Sequence, residues 1–292
     1  MAGWVLGVIG GSGLYDIEGL EGPRWITVES PFGAPSDQLL TGQLGEAHLV
    51  FLPRHGRGHA LPPTAVNARA NIDALKRAGC TDILSLSAVG SLREALSPGD
   101  FVIVDQYIDR TVAREKSFFG AGLAAHVSMA KPVCPRLSAH AAAAGRATGA
   151  RVVEGGCYLA MEGPQFSTQA ESALYRSWGC DVIGMTNMPE AKLAREAELP
   201  YAAVAMVTDY DCWHEEFAHV GVAQILQVLA ANADKARALI RALAAALPGE
   251  RKASPIDTCL DGALITAPAA RDLAMIAKLS AVAGRALGLD PA

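Results

Sequence analysis

Tyr201-Ala202-Ala203-Val204-Ala205-Met206-Val207-Thr208-Asp209-Tyr210-Asp211-Cys212-Trp213 joins an apolar run to a pair of carboxylates. The run is short and apolar, as a buried strand should be. Asp209 and Asp211 then stand at its C-terminal end, where open α/β sheets bind their ligands. Side chains two residues apart on an extended segment share a face, so the two acids can address one ligand together. Such a pair can protonate a leaving group or hold an amino group. Alone, the same residues also fit a solvated turn with a capping Asp.

Similar apolar runs recur at Val5 to Ile9, Leu49 to Leu52, Ile83 to Ser87, Phe101 to Val104 and Asp181 to Gly184. Between them lie helical patterns. Thr64 to Ala78 has apolar spacing and stops at Gly79. Thr168 with Glu171 forms a capping box ahead of a helix that Gly179 ends. Asn187, with Pro189 and Glu190 behind it, reads as another helix start. Residues 223 to 247 spell a long amphipathic helix, with Ile225, Leu226, Leu229, Ala233, Ala236, Leu239, Ile240, Leu243 and Leu247 on its apolar side. The alternation predicts an α/β fold, a single domain with a mixed central sheet flanked by helices. No stretch before residue 247 resembles a linker. Residues 248–292 read as a C-terminal tail with one further helix, packed on the same 1–292 domain.

At 292 residues, 51% hydrophobic and 19% charged, the chain can bury a large core. Its formal charge of -5 argues against nucleic acid as a partner, because that surface is usually basic. A small anion needs only a few local donors. The six cysteines are scattered with no C-x-x-C, so neither a zinc site nor a disulfide framework is expected. Reduced thiols in a cytoplasmic protein are expected instead. Residues Met1 to Ile9 show no signal-peptide pattern, and no apolar run reaches membrane-spanning length.

Four strand-end loops carry anion donors. Gly10-Gly11-Ser12-Gly13 can converge backbone N–H groups on an anion. It has Asp16 where a dinucleotide fingerprint needs glycine and lacks the Gly-Lys of a P-loop. Arg54-His55 offers a forked cation and a ring nitrogen. A metal at His55 and His59 is the competing reading, without a third ligand at recognisable spacing. Ser87-Ala88 and Met185-Thr186-Asn187 add hydroxyls and a helix N-terminus. Each loop alone also fits an ordinary turn or surface loop. His214 and His219 are five apart, which misses H-E-x-x-H, and Leu14 breaks G-x-S-x-G. Together the loops and the two acids suit free phosphate beside a base or sugar.

Gly10 to Leu14, Arg54-His55-Gly56, Asn67 to Leu75, Gly90 to Arg93, Glu162-Gly163-Pro164, Met188-Pro189-Glu190 and Thr208 to Trp213 resemble the 5′-methylthioadenosine phosphorylases of the trimeric purine nucleoside phosphorylase family. The similarity runs in register over residues 5 to 247. It implies a homotrimer and phosphorolysis of methylthioadenosine to adenine and 5-methylthioribose-1-phosphate, with phosphate as co-substrate and no metal or cofactor. It implies phosphate contacts at Ser12, Arg54, His55, Ser87, Ala88 and Thr186; serine at 12 and 87, where the family often has threonine, keeps the hydroxyl. It places the sugar and methylthio group against Met185 and Val222, and the purine near Phe166, Ser167, Asp209 and Asp211. His126 matches a residue that reaches a neighbouring subunit's site. Asp209 as proton donor would suit a 6-amino purine. Phosphorylases of methylthioinosine, inosine or guanosine remain the alternative, with a water-using nucleosidase, a dinucleotide-binding oxidoreductase and an inactive nucleoside binder behind it.

Overall fold

The computed structural model describes residues 3–11, 13–214 and 222–289, without the side chains of 222–226. Ser12 and the side chains of Val222, Ile225 and Leu226 therefore lie outside the described residues. Strand β1 (Val5–Gly10) lies parallel between β4 (Ala47–Pro53) and β5 (Asp82–Ser91). The meander of β2 (Glu21–Ile26) and β3 (Leu39–Leu44) extends the sheet beyond β4 in antiparallel fashion. On the other side β5 serves two arms. It pairs in parallel with β11 (Tyr201–Asp209), and its last residues pair antiparallel with β10 (Val182–Gly184). The first arm continues through β6 (Phe101–Ile103) to β8 (Val152–Glu154), the second through β9 (Cys157–Ala160) to β7 (Gln106–Asp109). The sheet is mixed and helices flank it, as the sequence predicts.

Alternate strand residues enter different cores. Ile83, Val50 and Ala203 face a cluster that holds Ile72 and Leu75 of α1 (Ala68–Arg77) and Leu193 and Ala194 of α4 (Asn187–Glu196). Leu84, Phe51 and Val204 face a second cluster with α2 (Pro135–Ala147) and α5 (Val222–Ala246). Both faces of the central strands are covered, which is why they read as continuous apolar runs without polar alternation.

Several elements differ from the sequence reading. The helix expected from Thr64 is split into a 3-10 turn at Pro63–Ala65 and α1, because the Asn67 side chain accepts from Ala70 N and starts a new helix there. The Thr168–Glu171 capping box is present and opens α3 (Gln169–Ser177). Thr186 caps α4. The tail forms two short helices, α6 (Leu273–Lys278) and α7 (Ser280–Leu287), instead of one. Leu279, Val282 and Ala283 from this tail are buried in the same cluster as Ile72.

Candidate functional site

The C-terminal ends of β1, β4, β5 and β11 open into one cavity of about 500 Å³. The antiparallel course of β10 brings its exit, Met185 and Thr186, to the same place. The bond from Ser87 Oγ to Asn187 Oδ1, 3.0 Å long, shows how close β5 and the start of α4 come. Arg54, His55, Ser87, Ala88 and Thr186 line this cavity. Phe166, Met185, Asp209 and Asp211 line the same cavity. Ser167 is not among the lining residues; its carbonyl accepts from the Cys212 thiol at 3.3 Å. His126 borders a separate open hollow with Lys116, Lys192 and Glu196. Its backbone N–H bonds Ala263 O at 2.9 Å, so the tail is laced to the His126 segment.

Arg54 is 3% exposed and almost fully engaged. Its Nε donates to Glu190 Oε1 at 2.5 Å, and Nη2 reaches Glu190 Oε2 at 3.2 Å and Ser85 Oγ at 2.7 Å. Nη1 donates to Leu86 O at 2.9 Å, which leaves one Nη1 hydrogen for the cavity. Burial opposes the guanidinium charge, but Glu190 outweighs it and raises the Arg54 pKa. Because Glu190 balances this cation, an anion here meets oriented N–H dipoles as much as net charge. In the sequence Glu190 stands out as part of a helix start and of the Met188-Pro189-Glu190 motif, with no partner assigned to it. Nothing local in a Pro-Glu pair reveals a partner 136 residues away.

His55 Nδ1 lies 2.9 Å from Leu61 O, which can only accept, so the proton sits on Nδ1 and Nε2 carries the lone pair. Burial, then the neighbouring Arg54 charge, lowers its pKa from 6.5 to about 4. The His59 ring stacks on it at 4.3 Å with planes 7° apart, an arrangement for ring contact and not for convergence on a metal. Among the described residues no cluster of three His, Cys, Asp or Glu can hold a metal ion. The lowered pKa has a consequence for stability. The unfolded chain takes up a proton at His55 as pH falls below 6.5, while the folded chain resists until about 4. Stability should therefore fall as pH drops through that window, and His55→Asn should flatten the slope there. Denaturant titrations across the window test this; an unchanged slope in the variant would refute it.

The two acids are held differently from the expected extended pair. β11 ends at Asp209, and a register shift against β5 lies between Val207 and Asp209. Asp211 follows in a 3-10 turn at φ 50°, a left-handed conformation that Asp tolerates. Asp209 Oδ2 accepts from Thr208 Oγ1 at 2.7 Å, and Oδ1 from Asp211 N at 2.8 Å. Burial, with the Asp209 charge adding to it, pushes the Asp211 carboxyl up. Gly90 sits opposite: a Cβ there would lie 3.0 Å from Asp209 Oδ1, so glycine lets the carboxylate lean over β5.

Residues 5–245 match the Phosphorylase superfamily. S-methyl-5′-thioadenosine phosphorylase of Cereibacter sphaeroides is 63% identical over 285 residues, covering 97% of this chain and 98% of that protein. The chain belongs to the phosphorylase superfamily, in its methylthioadenosine phosphorylase family. The protein of the same name from Rhodospirillum rubrum is also 63% identical, over 97% of both chains. Among solved structures of this family, a methylthioadenosine phosphorylase sourced from an antarctic soil metagenomic library superposes with a TM-score of 0.92 at 44% identity, over 97% of this chain and 99% of that one. Methylthioadenosine phosphorylase from Schistosoma mansoni in complex with adenine gives 0.76 at 39% identity, over 83% and 91%.

Proposed function

We propose that this chain, a pentosyltransferase, catalyses the reversible phosphorolysis of 5′-methylthioadenosine to adenine and 5-methylthioribose-1-phosphate. One observation carries the reading: a single cavity has oxyanion donors from Arg54, Ala88 and Thr186 on its wall together with the Asp209–Asp211 pair. The relatives' names and the adenine bound by the Schistosoma mansoni enzyme support it. Breaking the C1′–N9 bond leaves positive charge on the sugar and negative charge on the purine. Asp209 gives a proton to N7 and so makes the purine a better leaving group. Asp211, whose carboxyl burial pushes up, shares that proton and holds the purine edge with Phe166, and Ser167 supports that edge from behind through Cys212. Phosphate, fixed by Arg54, His55, Ser12, Ser87, Ala88 and Thr186, attacks C1′ from the other face, so positioning and charge supply much of the rate. Ser87 must turn its hydroxyl from Asn187 to donate there.

A carboxylate accepts from a 6-amino group, which favours adenine over 6-oxo purines. Apolar Met185 and Val222 favour methylthio over hydroxyl at the 5′ end. The reading uses inorganic phosphate as co-substrate and calls on no metal or organic cofactor. It takes residues 1–292 as one phosphorylase domain with the 248–292 tail packed on it. It also takes the active form as a homotrimer in which His126 reaches the neighbouring site; exposed Phe166, Ile265 and Leu273 support an interface. No helix among the described residues is long and apolar enough to cross a membrane, and a cytoplasmic location goes with the reading.

Adenine release from methylthioadenosine, measured with and without phosphate beside methylthioinosine and inosine, tests the proposal. Release should require phosphate and be poor for the 6-oxo substrates. Faster cleavage of methylthioinosine or inosine would move the chain to the 6-oxo phosphorylases, and release without phosphate would make it a nucleosidase.

A further inference from the structure

Arg114 and Glu162 have no role in the chemistry above, yet they tie together the wall that carries Met185 and Thr186. The Arg114 side chain is 6% exposed and that of Glu162 20%. Arg114 Nε donates to Glu162 Oε1 at 3.0 Å, and Nη2 to the Glu162 carbonyl at 2.6 Å. Nη1 donates to the carbonyls of Met185 at 2.6 Å and Met188 at 2.8 Å. These two carbonyls bracket Thr186 and Asn187. Glu162 in turn accepts from Val112 N at 2.5 Å, Ala113 N at 3.1 Å and Thr64 Oγ1 at 2.8 Å. One ion pair thus joins the segment after His59, the segment after β7, the approach to α3 and the β10–α4 junction.

The clamp sits against the anion end of the cavity. Arg114 borders a small void together with Arg54, His55, Met185, Thr186 and Glu190. Gly163 completes the arrangement. Its φ is 69°, and a Cβ there would come within 2.4 Å of Met185 Sδ. The Glu162-Gly163 pair therefore supplies both the acceptor for Arg114 and the room for Met185. Burial pushes the Glu162 carboxyl up, but the Val112 and Ala113 N–H groups, with Thr64 and Arg114, outweigh it and bring its pKa to about 2. The ion pair is intact throughout the neutral range.

Resting on the phosphorolytic reading of this cavity, we infer that Arg114 and Glu162 are positioning residues for the reaction, setting where Met185 stands against the sugar and where Thr186 stands against the attacking oxyanion. The planar guanidinium fork meets four acceptors at fixed angles. An ammonium has no such plane and cannot hold both carbonyls and Glu162 in the same geometry. A displacement of about 1 Å at a reacting centre can lower the rate about 100-fold, so a loose clamp has a large kinetic effect without any lost contact to substrate.

The test is steady-state adenine release from methylthioadenosine with phosphate and nucleoside varied in turn, on the wild type, Arg114→Lys, Arg114→Met and Glu162→Gln, with a melting curve for each. Arg114→Met should lower kcat/KM for phosphate about 10- to 100-fold. Arg114→Lys should recover most of the melting temperature but not kcat/KM, a split that a merely structural role would not produce. Folded Arg114→Met and Glu162→Gln enzymes with wild-type kcat and KM for both substrates would overturn the inference. If Arg114→Met does not fold, the Lys and Gln variants decide by the same criterion. Wild-type release that ignores phosphate would instead refute the phosphorolytic reading, and it shows before any variant is made.

Discussion

Asp209→Asn should slow adenine release from methylthioadenosine by about 10²- to 10⁴-fold, the range associated with a positioned proton donor. An amide cannot give N7 a proton. It also fits the local bonding poorly. Thr208 Oγ1 and Asp211 N each donate to one oxygen of the carboxylate, at 2.7 and 2.8 Å. Asn keeps one acceptor oxygen, so its amino group must face one of those donors or turn towards the purine. Turned that way, it opposes the 6-amino group and matches a 6-oxo group. The variant should therefore lose least on methylthioinosine or inosine, and the ratio of rates on 6-amino and 6-oxo nucleosides is the informative number. A variant with the wild-type rate on methylthioadenosine would remove Asp209 from the chemistry.

Arg54→Met should be the most damaging change to both folding and phosphate use. It leaves Glu190 buried with its main partner gone, and breaking a buried pair on one side costs about 3–5 kcal/mol. Ser85 Oγ and Tyr201 OH, both 3.1 Å from Glu190 Oε2, offset part of that loss. The Arg54→Met, Glu190→Met double variant should melt above the Arg54 single variant, since two apolar groups leave no buried charge. It should still bind phosphate poorly, because the free Nη1 hydrogen has gone. Melting temperatures and phosphate dependence across the four-member cycle separate the two effects. A double variant that melts below both singles would show that the pair is worth more than its desolvation, and one with normal phosphate dependence would take Arg54 out of the anion site.

Much of this was legible because the signals were local. Apolar runs such as Val5 to Ile9 and Tyr201 to Val207 mark strands without any tertiary information, and Thr168 with Glu171, three positions on, marks a helix start by two residues alone. What was missed lacks such signals. The strands at Glu21–Ile26 and Gln106–Asp109 are partly exposed and carry few apolar residues. The helix at Pro135–Ala147 is rich in alanine and shows a weak stripe, because it buries small side chains closely against α5. In the site, the loops at strand ends announced themselves by composition. Glu190 and Arg114 did not, since each acts through a partner or a carbonyl that is distant in sequence and adjacent only once the sheet has formed.

The shared strand β5 gives the site a built-in ruler. Ser87 and Ala88 border the cavity beside the anion donors, and Gly90, opposite Asp209, borders it beside the acids. On the phosphorolytic reading, the gap between attacking group and leaving group is a count of peptide units along one strand, at about 3.3 Å each. Both arms of the sheet are hung on those same units, so the gap cannot change without tearing one arm from the other. Evolution of new 5′ or base preferences in this scaffold is then confined to the loops around the ruler, while the span between bond made and bond broken stays fixed.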